Sequence, residues 1–482
     1  MSELSAAAGK AVKWSAVSQF GLRFGKLATT AILARILVPS EFGLVSMAAV
    51  LVEFAMIFRD LGTGSAVIQR EENSQRLLST VFWANIAFGV LITSAIILAA
   101  PLVAAFYDEP RLTLILRVLS VAFLFASASV LQQAILERKL AFASLAKYEL
   151  AAFLVAAMTG ITMAVYGFGV WSLVAQTVAL HATLCVLLWR SEKWRPSLEF
   201  SREDLREIWA YSMNHAGSQM LTFLGRNADY VLIGKFLGAE ALGFYTIAYR
   251  LVLYPLQSVT FVLARALFPV YARIRDDHAR FRSAYTRMVG GIASLTFPIM
   301  IGAMALREPL ILTLLGEKWL PVVTLLLILA PVGMTQSIGS SAALIYRAKG
   351  RADWMFRWFL VSTSLTVAAL VFGMRWGIYG VAFACLSINL LLIYPHYLLP
   401  FRLIGLTWRE FLRPLAAPLL ASLVMAATAS GVVHFAGNDA GHAARLGIGI
   451  LTGLLTYGGA YVAMNFQQVQ SLLRLVMRRS VA

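Results

Sequence analysis

The sequence predicts an all-α polytopic membrane protein of about 14 transmembrane helices, built as two six-helix lobes related by a pseudo-twofold axis and followed by two C-terminal helices. Three observations carry that expectation. The 482 residues are 60% hydrophobic and 13% charged, with a mean hydropathy of +0.75, which leaves too little polar surface to cover a soluble globule. A span needs about 20 apolar residues at about 1.5 Å each, and fourteen such runs can be placed, separated mostly by short loops. Finally, two stretches 200 residues apart are copies of each other: Ala16, Ser18, Gln19, Gly25, Ala28, Leu37, Gly43 and Ala48 match Ala216, Ser218, Gln219, Gly225, Ala228, Leu237, Gly243 and Ala248 without a gap. The charges repeat as well, Lys26 with Arg226 and Arg35 with Lys235. Such a run of ungapped matches marks a duplicated membrane unit.

The first run is centred near residue 25, behind Lys10 and Lys13. No small-residue cleavage site follows a short apolar core, so it reads as a retained span and not as a removable signal. Runs near residues 51, 92, 125, 157 and 179 complete an N-terminal lobe, 1–189, with Asp108 and Glu109 as ordinary residues of a short outer turn. A basic cytoplasmic linker follows over 190–208, where Pro196 interrupts any helix and Ser201 with Asp204 has the spacing of a capping box. Runs near 223, 252, 294, 327, 364 and 388 form the C-terminal lobe, 209–400, in which Pro255, Pro269, Pro298 and Pro331 suggest bends that neighbouring helices tolerate. Residues 401–482 hold the last two runs, near 424 and 454, and a basic cytoplasmic tail, with Thr407 and Glu410 repeating the capping pattern. An even number of spans per repeat makes the lobes parallel copies, with a site expected between them.

A net charge of +17 and a pI near 10.1 would suggest nucleic acid in a soluble protein, but the distribution of the charge decides otherwise. With the N-terminus inside, about 27 of the 41 Lys and Arg residues fall in cytoplasmic segments and about 5 in outer loops, which orients the chain with both termini cytoplasmic. The densest clusters are Arg190, Lys193, Arg195, Arg202 and Arg206, then Arg273, Arg275, Arg280, Arg282 and Arg287. Both lie at the inner face, where anionic membrane lipids attract them, so no nucleic-acid partner is expected. Cys185 and Cys385 fall inside spans without metal-ligand spacing. No Walker sequence, glycine-rich nucleotide loop or sizeable catalytic loop is present. The chain is therefore expected to be no enzyme, with no catalytic residue, metal or cofactor, and to draw on an ion gradient or on its substrate's own gradient.

Charged residues inside spans are the candidate site. Gln19, Arg23, Lys26 and Thr30 share one helix face, and Gln219, Thr222, Arg226 and Asp229 do the same in the copy. A cation near the bilayer centre costs about 3 kcal/mol on insertion scales, so repeated cations imply a wet cavity or a paired anion. Arg250 lies deep in the eighth run with Tyr254 and Gln257 on its side, whereas Arg35, Arg117, Lys235 and Arg265 sit nearer span ends and read as snorkelling residues. The candidate substrate-binding residues are Gln19, Arg23, Lys26, Gln219, Arg226 and Arg250. Guanidinium grips phosphate oxygens in a fork and lysine acts as a point charge, which suits a lipid diphosphate. Among the acids in spans, Glu53, Asp60, Glu149 and Asp229, Glu53 and Asp229 are candidates for coupling to a proton or sodium ion, since burial and a nearby cation act on a carboxylate in opposite directions. A static ion pair with Arg226 is the other reading of Asp229. His181 reads as a packing residue.

Leu33-Ala-Arg-Ile-Leu-Val-Pro-Ser-Glu-Phe-Gly43, Asp60-Leu-Gly-Thr-Gly-Ser-Ala-Val-Ile-Gln69, Gly167-Phe-Gly-Val-Trp171, Ile233-Gly-Lys-Phe-Leu-Gly238 and Phe268-Pro-Val-Tyr271 follow one another across the two lobes. In these strings and their order the whole chain resembles the polysaccharide-transport branch of the multidrug/oligosaccharidyl-lipid/polysaccharide flippase superfamily, especially exporters of the Wzx and colanic-acid type. The resemblance implies a V-shaped transporter of the bacterial cytoplasmic (inner) membrane that works by alternating access. It would move undecaprenyl-diphosphate-linked oligosaccharide from the inner to the outer leaflet for lipopolysaccharide or exopolysaccharide synthesis, beside a polysaccharide polymerase and export machinery. The other readings are a peptidoglycan-precursor flippase, a drug or metabolite antiporter of the same superfamily, which would need an acidic cleft, and, from a different class, a membrane glycosyltransferase.

Overall fold

A computed structural model describes residues 21–56, 74–203, 223, 225–253, 271, 274, 277–435 and 441–465. Every regular element among them is helical. Helix α1 spans 21–36 and α2 Pro39–Met56, the two separated by a short break at Leu37 and Val38. Pro39 opens α2 where its missing N–H costs nothing, and the Glu41 carboxylate accepts the Val38 N–H at 3.0 Å. Helix α3, Gln75–Tyr107, starts on the Ser74 hydroxyl, which accepts the Leu77 N–H, and ends at Asp108 in the left-handed region with φ 57°. Helices α4, Arg111–Arg138, α5, Phe142–Val165, and α6, Val170–Ser191, follow through short turns.

After α7, Gly225–Leu253, α8 runs over His278–Ala305 from an Asp277 cap that accepts the Arg280 N–H at 3.0 Å. The short α9, Arg307–Leu314, leads to α10, Leu320–Gly339, and α11, Ala342–Ala348. Then come α12, Ala352–Gly373, α13, Gly377–Ile404, α14, Trp408–Phe435, and α15, His442–Met464. The Thr407 and Glu410 capping box forms as its spacing predicts: Glu410 Oε2 accepts the Thr407 N–H at 2.9 Å and Thr407 Oγ1 accepts the Glu410 N–H at 3.3 Å. Eleven helical stretches among the described residues are long and apolar enough to cross a bilayer. One of them, 352–404, joins α12 and α13, so the number of stretches is not a count of crossings.

Helix α7 is a hairpin. The Tyr245 hydroxyl donates to Asp229 Oδ2 at 2.9 Å, although 16 residues of straight helix would hold the two about 24 Å apart. The chain turns back at Gly238, whose φ of 83° is in the left-handed region that glycine enters freely. This repeats, 200 residues later, the break between α1 and α2.

By contact density the chain divides into two units, Met1–Thr246 and Ile247–Ala482. In the first, α3, α4 and α6 pack around Leu77, Val81, Phe82, Leu131 and Ala134, with Trp189 and Trp194 against them. The core of the second is rich in aromatic rings, Tyr271, Phe281, Tyr285, Tyr397, Phe401 and Phe411, where α8, α13 and α14 meet. Leu420 and Leu423 of α14 and Leu451, Leu454 and Leu455 of α15 are exposed, as a lipid-facing surface requires.

Candidate functional site

The duplicated segments pack on each other, and they do so at equivalent positions. A Cβ built on Gly43 of α2 would overlap the carbonyl oxygen of Ala239, and one built on Gly243 would overlap that of Pro39. Position 39 is the counterpart of 239 and position 43 of 243, so the crossing has local twofold symmetry. One turn on, the Thr246 hydroxyl meets that of Ser46 at 3.1 Å, again 200 residues apart, and both are buried. Only residues without a side chain let the two backbones come this close. The crossing therefore ties the α1–α2 hairpin to the α7 hairpin.

Each hairpin carries candidate cations on its first arm. Gly25 lets α1 lie against α5, because a Cβ there would sit 2.6 Å from the Phe153 ring, and Leu22 joins Phe153 and Ala157 in one cluster. Arg23 is then half-buried and Lys26 exposed. Glu149 of α5, one turn before Phe153, is close enough to Lys26 for the two charges to act on each other. The face-by-face reading of the first span missed this neighbour, since the two residues are distant in sequence. On α7, Arg226 is exposed and Asp229 is turned toward the second arm, where its Oδ2 accepts from Tyr245 and its Oδ1 from the Tyr230 N–H at 3.0 Å. Among the described residues no ion pair joins Asp229 to Arg226, so the carboxylate is held by hydroxyl and amide donors. Thr29 and Val45 stand at the equivalent positions of the first copy, which has no such lock.

Glu53 is exposed on α2 beside Phe54, whose ring lies 5.7 Å from that of Phe223. Gln19 and Gln219, and with them Tyr254 and Gln257, lie outside the described residues. Arg250, in the second unit, is half-buried next to Tyr249, whose hydroxyl accepts from Gln336 Nε2 of α10 at 3.1 Å. Lys235, expected to snorkel, reaches the exposed Asp108 at the end of α3, pairing with it at 2.6 Å, and lies over the Phe106 ring. Its partner was expected to be an ordinary turn residue. Its position as the left-handed cap of α3 aims the carboxylate at α7. Among the described residues no three His, Cys, Asp or Glu side chains gather as metal ligands would. Chemically, the hairpins present cations beside hydroxyl and backbone N–H donors, a set suited to holding an anion.

The chain matches the model of the family described as polysaccharide biosynthesis protein over residues 32–324. It is 30% identical over 349 residues to the teichuronic acid biosynthesis protein TuaB of Bacillus subtilis (strain 168), with 72% of each chain covered. To the succinoglycan biosynthesis transport protein ExoT of Rhizobium meliloti (strain 1021) it is 25% identical over 468 residues, 97% of this chain and 94% of that one. Among solved structures it is similar to the lipid II flippase MurJ in an inward closed conformation, with a TM-score of 0.75 at 15% identity, covering 95% of this chain and 100% of that one. That likeness establishes the fold, and it is the flippase fold expected from the sequence.

Proposed function

Because the chain belongs to the polysaccharide biosynthesis protein family, we propose that it flips an undecaprenyl-diphosphate-linked oligosaccharide repeat unit from the cytoplasmic to the outer leaflet of the bacterial inner membrane. The observation that carries this reading is the pair of duplicated hairpins, each holding a cation within a membrane-spanning segment, in a chain that matches a polysaccharide transport protein over nearly its whole length. The diphosphate is the part of such a lipid that hydrocarbon cannot solvate, and paired cations offset its charge where water is scarce. The polyprenyl tail stays in the bilayer. The spans work as two six-helix lobes, 1–189 and 209–400, joined by the 190–208 linker, with 401–482 supplying the final pair. A proton or sodium gradient, taken up through Asp229 or Glu53, biases alternating access, and the product goes to a polymerase. Basic residues at these positions do not suit the cation-accepting cleft of a drug antiporter.

Deleting the protein is expected to abolish one surface or secreted polysaccharide while the complete lipid-linked unit accumulates on the cytoplasmic leaflet. A membrane-impermeant probe of the lipid's head group, used with and without the protein, reads the leaflet directly. A truncated sugar would point to the glycosyltransferase, and a unit normally exposed outside would reject flipping. Orientation has its own test. With Cys185 and Cys385 replaced, single cysteines at Glu109 and Gly316 should react with an impermeant thiol reagent from outside, and those at Asp277 and Gly350 should not. Labelling at 277 from outside would invert the topology.

A further inference from the structure

Beyond Ser191 the chain does not leave the membrane as a free tether. Residues 192–201 run back along the first turns of α3, held by side chains of that helix. Gln75 donates to the Arg195 carbonyl at 2.8 Å and accepts from the Trp194 indole at 2.6 Å. Ser79 Oγ accepts the Ser197 N–H at 3.0 Å, the Trp83 indole donates to the Ser197 carbonyl at 2.8 Å, and Thr80 Oγ1 accepts the Ser201 N–H at 2.9 Å. Arg76 donates to the Ser201 hydroxyl at 2.8 Å. The same residue, expected to cap the next helix, stands directly before a helical turn at 202–203. Asp204, its expected capping partner, lies outside the described residues.

The level of this strap is set by its partners. Trp83 is eight residues into α3, about 12 Å along a helix that crosses the bilayer. Phe82 gathers Trp83, Trp189 and Trp194 around itself with ring centroids 5.3, 5.7 and 6.1 Å away, an aromatic belt of the kind found at membrane–water boundaries. Non-helical backbone survives at that depth only where its polar groups are satisfied, and Gln75, Ser79, Thr80 and Trp83 satisfy it here. At the strap's start, Lys139 pairs with Glu192 at 2.7 Å. Burial opposes the Glu192 charge, but the hydrogen bond and charge of Lys139 together with the Lys193 and Trp194 N–H groups outweigh it and hold the carboxyl below its ordinary range. Arg195 is also committed: it donates to the Trp189 and Glu192 carbonyls at the end of α6 and lies over the Trp189 ring at 5.3 Å.

What the strap leaves open is apolar. With Ser201 buried and Ser197 half-buried on the α3 side, Leu198 is 90% exposed and Phe200 51% exposed. Arg190, Lys193 and Arg202 are exposed around them, and so are Glu199 and Glu203. The acids lower the net charge, so the apolar pair must supply the anchoring and the cations the choice of headgroup.

We infer that residues 193–202 form a lipid-binding surface of the cytoplasmic leaflet, with Leu198 and Phe200 entering the acyl boundary and Lys193 and Arg202 facing the phosphate of an anionic phospholipid. Leucine and phenylalanine at interfacial depth bury their surface in the acyl region, while lysine and arginine reach outward to the headgroups. The inference rests on α3 as a span and on the strap's geometry, not on the transported substrate. The strap thereby fixes the inner end of the first unit against one leaflet.

The test uses the full chain without Cys185 and Cys385, carrying one environment-sensitive fluorophore on a cysteine at 198, 200 or 203, in vesicles of phosphatidylcholine with or without phosphatidylglycerol. Quenching by nitroxide-labelled lipid should be strong at 198 and 200 and weak at 203, and aqueous iodide should quench 203 about threefold more than 198. Phosphatidylglycerol should increase lipid quenching at 198, and Lys193→Gln with Arg202→Gln should remove that increase. Position 200 keeps the test open if labelling at 198 prevents folding. Equal iodide quenching at all three positions would place the strap in water, as a surface for a soluble partner, and would overturn the inference. Lipid quenching indifferent to phosphatidylglycerol would remove Lys193 and Arg202 from it.

Discussion

Gly43→Ala and Gly243→Ala are each expected to destabilise the protein by about 3 kcal/mol and to abolish export, the largest single-methyl effects among the described glycines. A Cβ at either position meets a backbone carbonyl, which has no rotamer to move into, so the crossing must part and take the Ser46 and Thr246 hydroxyl contact with it. Gly21 and Gly291 provide the contrast. Both lie in helices with open space where a Cβ would go, so alanine there should be neutral or stabilise by about 0.5 kcal/mol through the unfolded chain. Removing only the hydroxyl contact, with Ser46→Ala or Thr246→Val, should cost about 1 kcal/mol. Thermal unfolding of the purified chain in detergent, beside polymer yield in cells, reads all of these. Wild-type unfolding of both Gly43→Ala and Gly243→Ala would mean that the backbones do not touch at the crossing.

Lys26→Ala and Arg226→Ala should each reduce export about tenfold or more while the protein reaches the membrane in normal amount. Under the proposed role, each substitution would remove one charge-assisted contact to a diphosphate, worth about 1.5–3 kcal/mol. Arg479→Ala, in the basic tail, should be nearly silent. Glu149 complicates the first variant, because Lys26→Ala also removes a cation whose charge acts on that carboxylate. The double variant Lys26→Ala with Glu149→Gln separates the two roles: restored export would make Lys26 a structural partner of Glu149, and continued loss would keep it on the substrate. Asp229→Asn retains an acceptor for Tyr245 but cannot change its charge, so its remaining export should no longer follow an imposed proton or sodium gradient. Export by this variant that tracks the gradients as wild type does would take Asp229 out of the coupling role.

The helices, their order and the duplication were legible from residue to residue. Apolar runs about 20 residues long have few alternatives to helix once the chain is in lipid, because every backbone group must be bonded within its own segment. Thr407 with Glu410 closed as a capping box for the same reason: a four-residue motif needs nothing beyond its own helix. Spacing reaches only so far: it placed Ser201 ahead of a helix that begins at 202, but did not show that Arg76, 125 residues away, would donate to its hydroxyl. The candidate site divides along the same line. Helical spacing put Arg23 and Lys26 on one face, and Arg226 with Asp229 on another, but it could not say that Tyr245 would hold Asp229 or that Glu149 would stand beside Lys26.

By itself, then, the sequence determined that this is an all-helical, many-span protein of the flippase fold, with clustered basic segments and one membrane unit written twice. Those properties follow from composition, period and repetition, which are written along the chain. Only the tertiary structure decided which side chains compensate the enclosed polar groups: Tyr245 for Asp229, Thr246 for Ser46, and the face of α3 for the strap after α6. A membrane interior leaves such groups no water to turn to. Each must find its partner wherever the fold brings one within about 3 Å, and that distance depends on how helices far apart in sequence cross, turn back and pack.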